Sequence, residues 1–321
     1  MRAMRLRALM LAAVMSGLIG CDDGEAVEDA GASAEDGAVA VEDAGRALDG
    51  GRTELDAGDA LDGGALTPDA GPDDAGVRLG ANAWIRAHFV DAPAYTGTFN
   101  SRRRIETPAL VHDADACCAK YAFDPQAREE PDVREIGFVD VFIHDLVSSD
   151  AFGGGIQSAN ASGLTLFLAD VIVEPNWPAW RSYSETNYDG LVLDHSAAFY
   201  AEDLTVRGWN ADGAIDNKAP ISQFVRLTLE GSGHRGIRFW RPGPHYLVAS
   251  DLRNEGAYGE GSLLWFRNCD TVEVRVWDTT FNGESTVPGE LISCDEGSGP
   301  NIVYLTDDPR TTGEMHEMFS Y

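Results

Sequence analysis

Glycine recurs along the second half of this chain at a nearly fixed interval. Gly190, Gly213, Gly236, Gly261 and Gly289 stand 23, 23, 25 and 28 residues apart, and the first four open the apolar runs GLVLDHSA, GAIDNKAP, GIRFWRPG and GSLLWFRN. A second series, Gly208, Gly231, Gly256 and Gly283, advances by 23, 25 and 27 and closes the runs DLTVRG, RLTLEG, SDLRNEG and DTTFNG. Two β-like runs and two turns per repeat describe one coil of a solenoid. The repeats hold no amphipathic helical stretch, and the runs favour Val, Ile, Leu, Thr, Phe and Trp, so the coil is built of strands. The expected fold is all-β: a single-stranded right-handed parallel β-helix of about six or seven coils over 134–321, with a C-terminal tail.

In such a fold each strand pairs with its equivalent one coil above and below, and inward side chains stack on like residues. The corners are tight turns, where glycine meets no Cβ clash at positive φ. Terminal coils need covers against edge pairing, a role expected of 79–133 and of the tail after Asp307.

The start of the chain carries different information. Residues 1–21 combine Arg2, Arg5 and Arg7, the apolar stretch ALMLAAVMSGLI and the sequence Leu18-Ile19-Gly20-Cys21. The apolar core is too short to span a bilayer, and the order of elements is that of a secretory signal. Leu18–Cys21 matches a bacterial lipobox, in which cleavage precedes a cysteine that takes the lipid. Export and a lipid anchor at Cys21 follow as expectations, on the outer membrane or cell surface or facing the periplasm; multiple acyl chains hold far better than one. Residues 22–78 are mostly Asp, Glu, Ala and Gly, with 17 acidic residues against Arg46, Arg52 and Arg78, a net of −14. Such a segment cannot offset its ordering entropy by burial and reads as a disordered tether.

Residues 79–321 retain 36 acidic against 18 basic residues, a net of −18. That argues against nucleic acid as a partner, and against a polyanionic glycan unless positive charge gathers locally. Between Lys218 and Arg253 it does in sequence: Lys218, Arg226, Arg235, Arg238, Arg241 and Arg253 stand against Glu230 and Asp251, a net of +4. After Cys21, four cysteines remain, Cys117, Cys118, Cys269 and Cys294, which allow three disulfide pairings. Cys269 and Cys294 lie about one coil apart and could bridge stacked coils.

Taking the glycines as a ruler, the fifth residue after each yields a column of Asn160, His195, Lys218 and Arg241. Lys218 is notable because the chain has only one other lysine, Lys120. A lysine can lose its proton when desolvated or crowded by cations, which a general base requires and an arginine cannot do.

The stretch DGAIDNKAPISQFVRLTLEGSGHRGIRFWRPGPHYLVASDL resembles polysaccharide lyase family 6, the alginate lyases and chondroitinase B. The resemblance covers about 40 of the 321 residues. It implies β-elimination at a uronic acid, with Lys218 as Brønsted base and Arg241 assisting or acting as acid. His195 joins them as a catalytic candidate, and Arg238, His245, Tyr246, Trp240 and Trp265 as substrate-binding candidates. Ca²⁺-dependent members use Glu and Asn ligands, whereas this chain offers Asp212, Asp216 and Asp194 at a different spacing. Pro242 replaces the histidine that follows the family's arginine. Arg238 falls where an inward leucine belongs; a register slip of one residue there would turn Arg241 away from Lys218 and pair Arg238 with Asp216.

A second stretch, Tyr121-Ala122-Phe123-Asp124-Pro125-Gln126, is similar to the YGFDPHD site of mannuronan epimerases, with Gln126 in place of the catalytic histidine. Two functions remain open: an enzyme acting on an anionic uronate polysaccharide, by cleavage or epimerisation, or a non-catalytic β-helix that binds glycan or serves as a surface module.

Overall fold

The computed structural model describes residues 81–95, 108–112, 115–124, 135–158, 163–194, 196, 198–255 and 261–320. Residues 1–21 with Cys21, the segment 22–78, and His195, Asn160 and Gln126 lie outside them. The chain divides into two units, Met1–Asp69 and Ala70–Tyr321, and the described residues belong to the second. No described helix is long and apolar enough to cross a membrane.

Helix α1 (Ala81–His88) is followed by β1 (Ala94–Tyr95), β2 (Ala109–His112) and β3 (Asp115–Cys117). From Tyr121 onward every coil sends one strand to a front sheet and the rest to a back sheet. In chain order these are β4 (Tyr121–Phe123) and β5 (Glu135–His144); β6 (Phe152–Gln157) and β7 (Thr165–Glu174); β8 (Asn187–Leu193) and β9 (Ala198–Trp209). Next come β10 (Gly213–Asn217) with β11 (Ser222–Val225) and β12 (Thr228–Gly231), and β13 (Arg235–Phe239) with β14 (His245–Val248) and β15 (Asp251–Asn254). The last two coils are β16 (Ser262–Asn268) with β17 (Glu273–Trp277) and β18 (Thr280–Phe281), then β19 (Ile292–Glu296) with β20 (Asn301–Tyr304). The front sheet has seven strands, and all ladders between named strands are parallel. The chain is therefore an all-β parallel β-helix. Strands β2 to β4 already pair into these sheets, within the segment 79–133.

Ladders of like residues fill the interior. Ile156, Leu191, Ile215, Ile237, Leu264 and Ile292 stack rung on rung in the front sheet. Phe138, Leu168, Ala201, Phe224, Leu247 and Val276 do so in the back sheet. Full burial of each larger side chain stabilises the fold by roughly 1.5–3 kcal/mol, and parallel stacking repeats that gain along the axis.

One bend has no glycine. Asp140, Asp170, Asp203, Arg226, Ala249 and Asp278 follow residues that pair in register, and all six have φ between 45° and 57°. Aspartate tolerates this left-handed conformation because its short side chain can hydrogen-bond locally.

The outer face of the back sheet is covered. Ile85 of α1 and Phe89 just after it, with Met315, Met318 and Phe319 of the tail, pack on Val139, Phe167, Ala169, Val225, Tyr246 and Val248. Gly137 permits this approach, since a Cβ there would lie 3.0 Å from both Ile85 and Phe89. Trp84 stacks on His88 at 4.6 Å and meets His316 edge-on at 5.0 Å, which joins helix and tail. The tail after Asp307 thus lies along the flank: His316 N–H donates to Gln223 (2.7 Å) and Tyr246 donates to Glu314 (3.1 Å). Of the disulfides, Cys269–Cys294 clamps neighbouring coils, and Cys117–Cys118 joins adjacent residues.

Candidate binding cleft

The front-sheet register departs from the glycine ruler by one residue. Gly213 pairs with Asp189 and with Arg235, so Ala214 occupies the rung position of Gly190 and Gly236. The glycines serve different ends. At Gly190 a Cβ would strike the inward backbone, 2.6 Å from Ala214 O, whereas at Gly213 it would strike Asp189 Oδ1 at 2.6 Å. As a result Lys218 stands between Asp194 and Trp240 on neighbouring rungs, and Arg241 is not on the next rung beside it. The slip foreseen at Arg238 is the register the chain adopts.

Arg238 points outward from β13 yet is only 4% exposed, because three carboxylates enclose it. Its guanidinium lies 2.8 Å from Asp189, 2.6 Å from Asp212 and 3.2 Å from Asp216. Burial opposes its charge, but the three aspartates outweigh that and hold its pKa above the ordinary arginine value. Three buried carboxylates around one cation leave an excess of negative charge, which is costly away from water. Burial, reinforced by Asp212 and Asp216 and opposed by Arg238, pushes the Asp189 carboxyl well above the usual aspartate range.

Lys218 extends this network to the surface. Its Nζ lies 2.5 Å from Asp194 Oδ1, 3.4 Å from Asp216 Oδ2 and 5.1 Å from the centre of the Trp240 ring. Burial works against its charge, but Asp216 and Asp194 together hold the ammonium above the usual lysine range. Trp240 is fixed in turn, because its Nε1–H donates to Asp216 Oδ1 at 2.5 Å.

Above this network lies a cleft of about 190 Å³. Tyr121, Phe152, Tyr183 and Trp240 give it aromatic surface; Gln157, Asn187, Asp194 and Lys218 give it polar groups. Phe152 and Tyr183, 41% and 64% exposed, meet edge to face with centroids 5.9 Å apart. The Tyr121 hydroxyl is pushed up to about 12, by burial first and then by Asp124, Asp150, Asp194 and Asp189. The stretch noted for its similarity to epimerases therefore contributes a wall of the cleft. Asp189, Asn187, Phe152 and Tyr183 escaped the sequence reading. Only Asp189 carried a signal, as the residue before Gly190, and it becomes legible once Gly213 is seen to make room for it.

The other candidates are dispersed. Arg241 is exposed and absent from the cleft lining; its carbonyl accepts from His245 Nε2 at 2.9 Å. His245 is an interior residue rather than a substrate contact. Since Nε2 donates, Nδ1 accepts from Ser222 Oγ (2.8 Å), which itself accepts from Asn217 Nδ2 (2.8 Å). Burial, partly offset by the Arg241 carbonyl, lowers the His245 pKa to about 4. Tyr246 belongs to the covered back sheet and interacts with Arg275 and Glu314. Trp265 is buried beside Trp240, with its Nε1–H donated to Asp295 at 3.1 Å and Arg235 over its ring.

These positions bear on the basic zone and on the carboxylates named for Ca²⁺. The +4 zone does not gather on one face, since Arg226 pairs with Glu202 and Asp203, Arg253 with Asp251, and Arg238 is sequestered. The carboxylates assigned to Ca²⁺ are engaged by the chain's own cations, Asp212 and Asp216 by Arg238 and Asp194 by Lys218. Among the described residues no group of three or more His, Cys, Asp or Glu side chains is arranged to hold a metal ion.

No protein-family model, curated protein or solved structure matches the chain.

Proposed function

We propose that this chain is a non-catalytic parallel β-helix that binds carbohydrate in its front-sheet cleft and is displayed from the cell envelope by a lipid on Cys21 and an acidic tether. The observation that carries the reading is the exposed Phe152–Tyr183 pair beside Tyr121 and Trp240, over a floor of polar groups. Sugar rings present apolar C–H faces ringed by hydroxyls, and this combination of aromatic surface and convergent hydrogen-bonding groups suits them.

Turnover by β-elimination has weaker support. A base at Lys218 must first shed a proton that Asp194 and Asp216 stabilise, and Arg241 lies outside the cleft lining. The envelope reading rests on the lipobox and on the composition of 22–78.

The test is saturation-transfer NMR and calorimetry of the mature chain against neutral, anionic and cationic oligosaccharides, with ultraviolet absorbance of unsaturated uronate followed in parallel. Binding without new absorbance, weakened in Tyr183→Ala, is expected. Absorbance that grows with wild type and vanishes in Lys218→Ala would overturn the non-catalytic reading. Incorporation of labelled palmitate, lost in Cys21→Ser, tests the anchor.

A further inference from the structure

The cleft is short of unspent positive charge. Its two cations, Lys218 and Arg238, already face Asp194, Asp216, Asp189 and Asp212, so four carboxylates meet two cations, a formal net of −2. A uronate carboxylate entering here would meet acceptors rather than donors, and in a partly desolvated site like charges repel strongly. The groups with capacity left are acceptors. Asn187 Oδ1 is buried in the cleft wall with no hydrogen-bond partner among the described residues. Among the described residues Asp194 Oδ2 accepts only a 3.4 Å contact from Gln157, while Oδ1 of the same carboxylate serves Lys218.

The protein also displays how this cleft holds an ammonium. Lys218 Nζ sits against two carboxylates and the face of Trp240, the combination of charge and aromatic quadrupole by which ammonium groups are recognised. The negative field extends to Tyr121 on the opposite wall, whose ionisation is opposed by burial and then by four aspartates.

We propose that the ligand of this cleft is a glycan bearing free amino groups, a hexosamine polymer without its N-acetyl groups, with its ammonium directed to Asp194 and Asn187 and its ring against Tyr183 and Phe152. This rests on the carbohydrate reading above and names the class of sugar. A hydroxyl-only glycan supplies the stacking and the donors but not the charge, and a polyuronate brings the wrong charge.

The experiment compares glucosamine oligomers with N-acetylglucosamine oligomers of equal length, with oligouronates, and with spermine, all by calorimetry on the mature full-length chain. Glucosamine oligomers are expected to bind about tenfold more tightly than the acetylated series, as expected of a charge-assisted hydrogen bond over a neutral one. Added salt is expected to narrow that gap. Asp194→Asn should close most of it. Because that change also frees Lys218, Tyr183→Ala is the companion variant: its exposed ring can be removed without disturbing the fold, and it should weaken both hexosamine series alike. Equal binding of acetylated and free oligomers, or tighter binding of oligouronates, would overturn the amino-sugar assignment while leaving carbohydrate binding intact. Spermine binding as tightly as the glucosamine oligomers would show a generic cation site and overturn it too. No binding by any glycan would overturn the carbohydrate reading itself.

Discussion

Lys218 and Asp194 stand one rung apart in the front sheet, with Nζ and Oδ1 separated by 2.5 Å. The contact follows from parallel register: pairing continues from Leu193↔Asn217 to the next residue on each strand. It turns a residue that sequence alone presents as a general base into a held ammonium. Asp216, two residues before Lys218, completes the clamp and ties it to Arg238 behind.

Arg238→Leu should destabilise the protein by roughly 3–5 kcal/mol near neutral pH, because it strands buried carboxylates without a cation. The sign of the pH dependence follows from Asp189, whose folded pKa is raised. The stability linked to its proton is complete below the unfolded aspartate value of about 3.9 and is lost as pH rises through the folded value. Removing Arg238, which lowers that value, raises it further, so the deficit of the variant should shrink on acidification. Urea midpoints for both proteins across the acidic range test this; a deficit that does not change with pH would contradict it.

His245 makes the opposite contribution. Its pKa is lowered from 6.5 to about 4, chiefly by burial. The stability tied to the neutral ring is complete above the unfolded value of 6.5 and is lost as pH falls toward about 4, a loss of roughly 3 kcal/mol in all. Chemical denaturation between those limits should reveal the decline, and His245→Gln should flatten it.

Two glycines at the same place in the sequence repeat should respond differently to alanine. At Gly213 the new Cβ would lie 2.6 Å from Asp189 Oδ1 and 3.6 Å from Arg238 Nε, inside a packed charged cluster, with an expected cost of roughly 1–3 kcal/mol. At Gly289 no atom lies within 4 Å, and the change should stay within about 0.5 kcal/mol of neutral. Thermal melts of the two variants make the comparison.

Ala249 is the one alanine in the column of left-handed bends, at φ 49°. For a residue with a Cβ this conformation costs about 1–2 kcal/mol, and alanine lacks the side-chain hydrogen bond by which aspartate eases it. Ala249→Gly should therefore raise stability by about 0.5–1 kcal/mol after the loss of the methyl contact and the greater freedom of the unfolded chain. A lower melting temperature would show that packing outweighs the bend.

The glycine-free bend was illegible in the sequence because Arg226 and Ala249 interrupt the aspartates Asp140, Asp170, Asp203 and Asp278 that share its conformation. The Cys269–Cys294 clamp was legible, because one coil of spacing brings Cys294 beside the rung of Phe266. His245 and Tyr246 could not be sorted, since adjacent residues of one strand point to opposite sides, one into the solenoid and one under the tail.

By itself the sequence determined that the chain coils. Glycines at regular spacing and β-branched runs between them admit few structures other than a parallel solenoid, because each coil must bury its inner face against the next. The tertiary structure alone decided which residues share a rung. Register is set by backbone hydrogen bonds and by turns whose lengths vary by a residue, so Gly190 aligns with Ala214 rather than Gly213, and that single step brings Lys218 to Asp194 and Trp240 and leaves Arg241 outside the cleft.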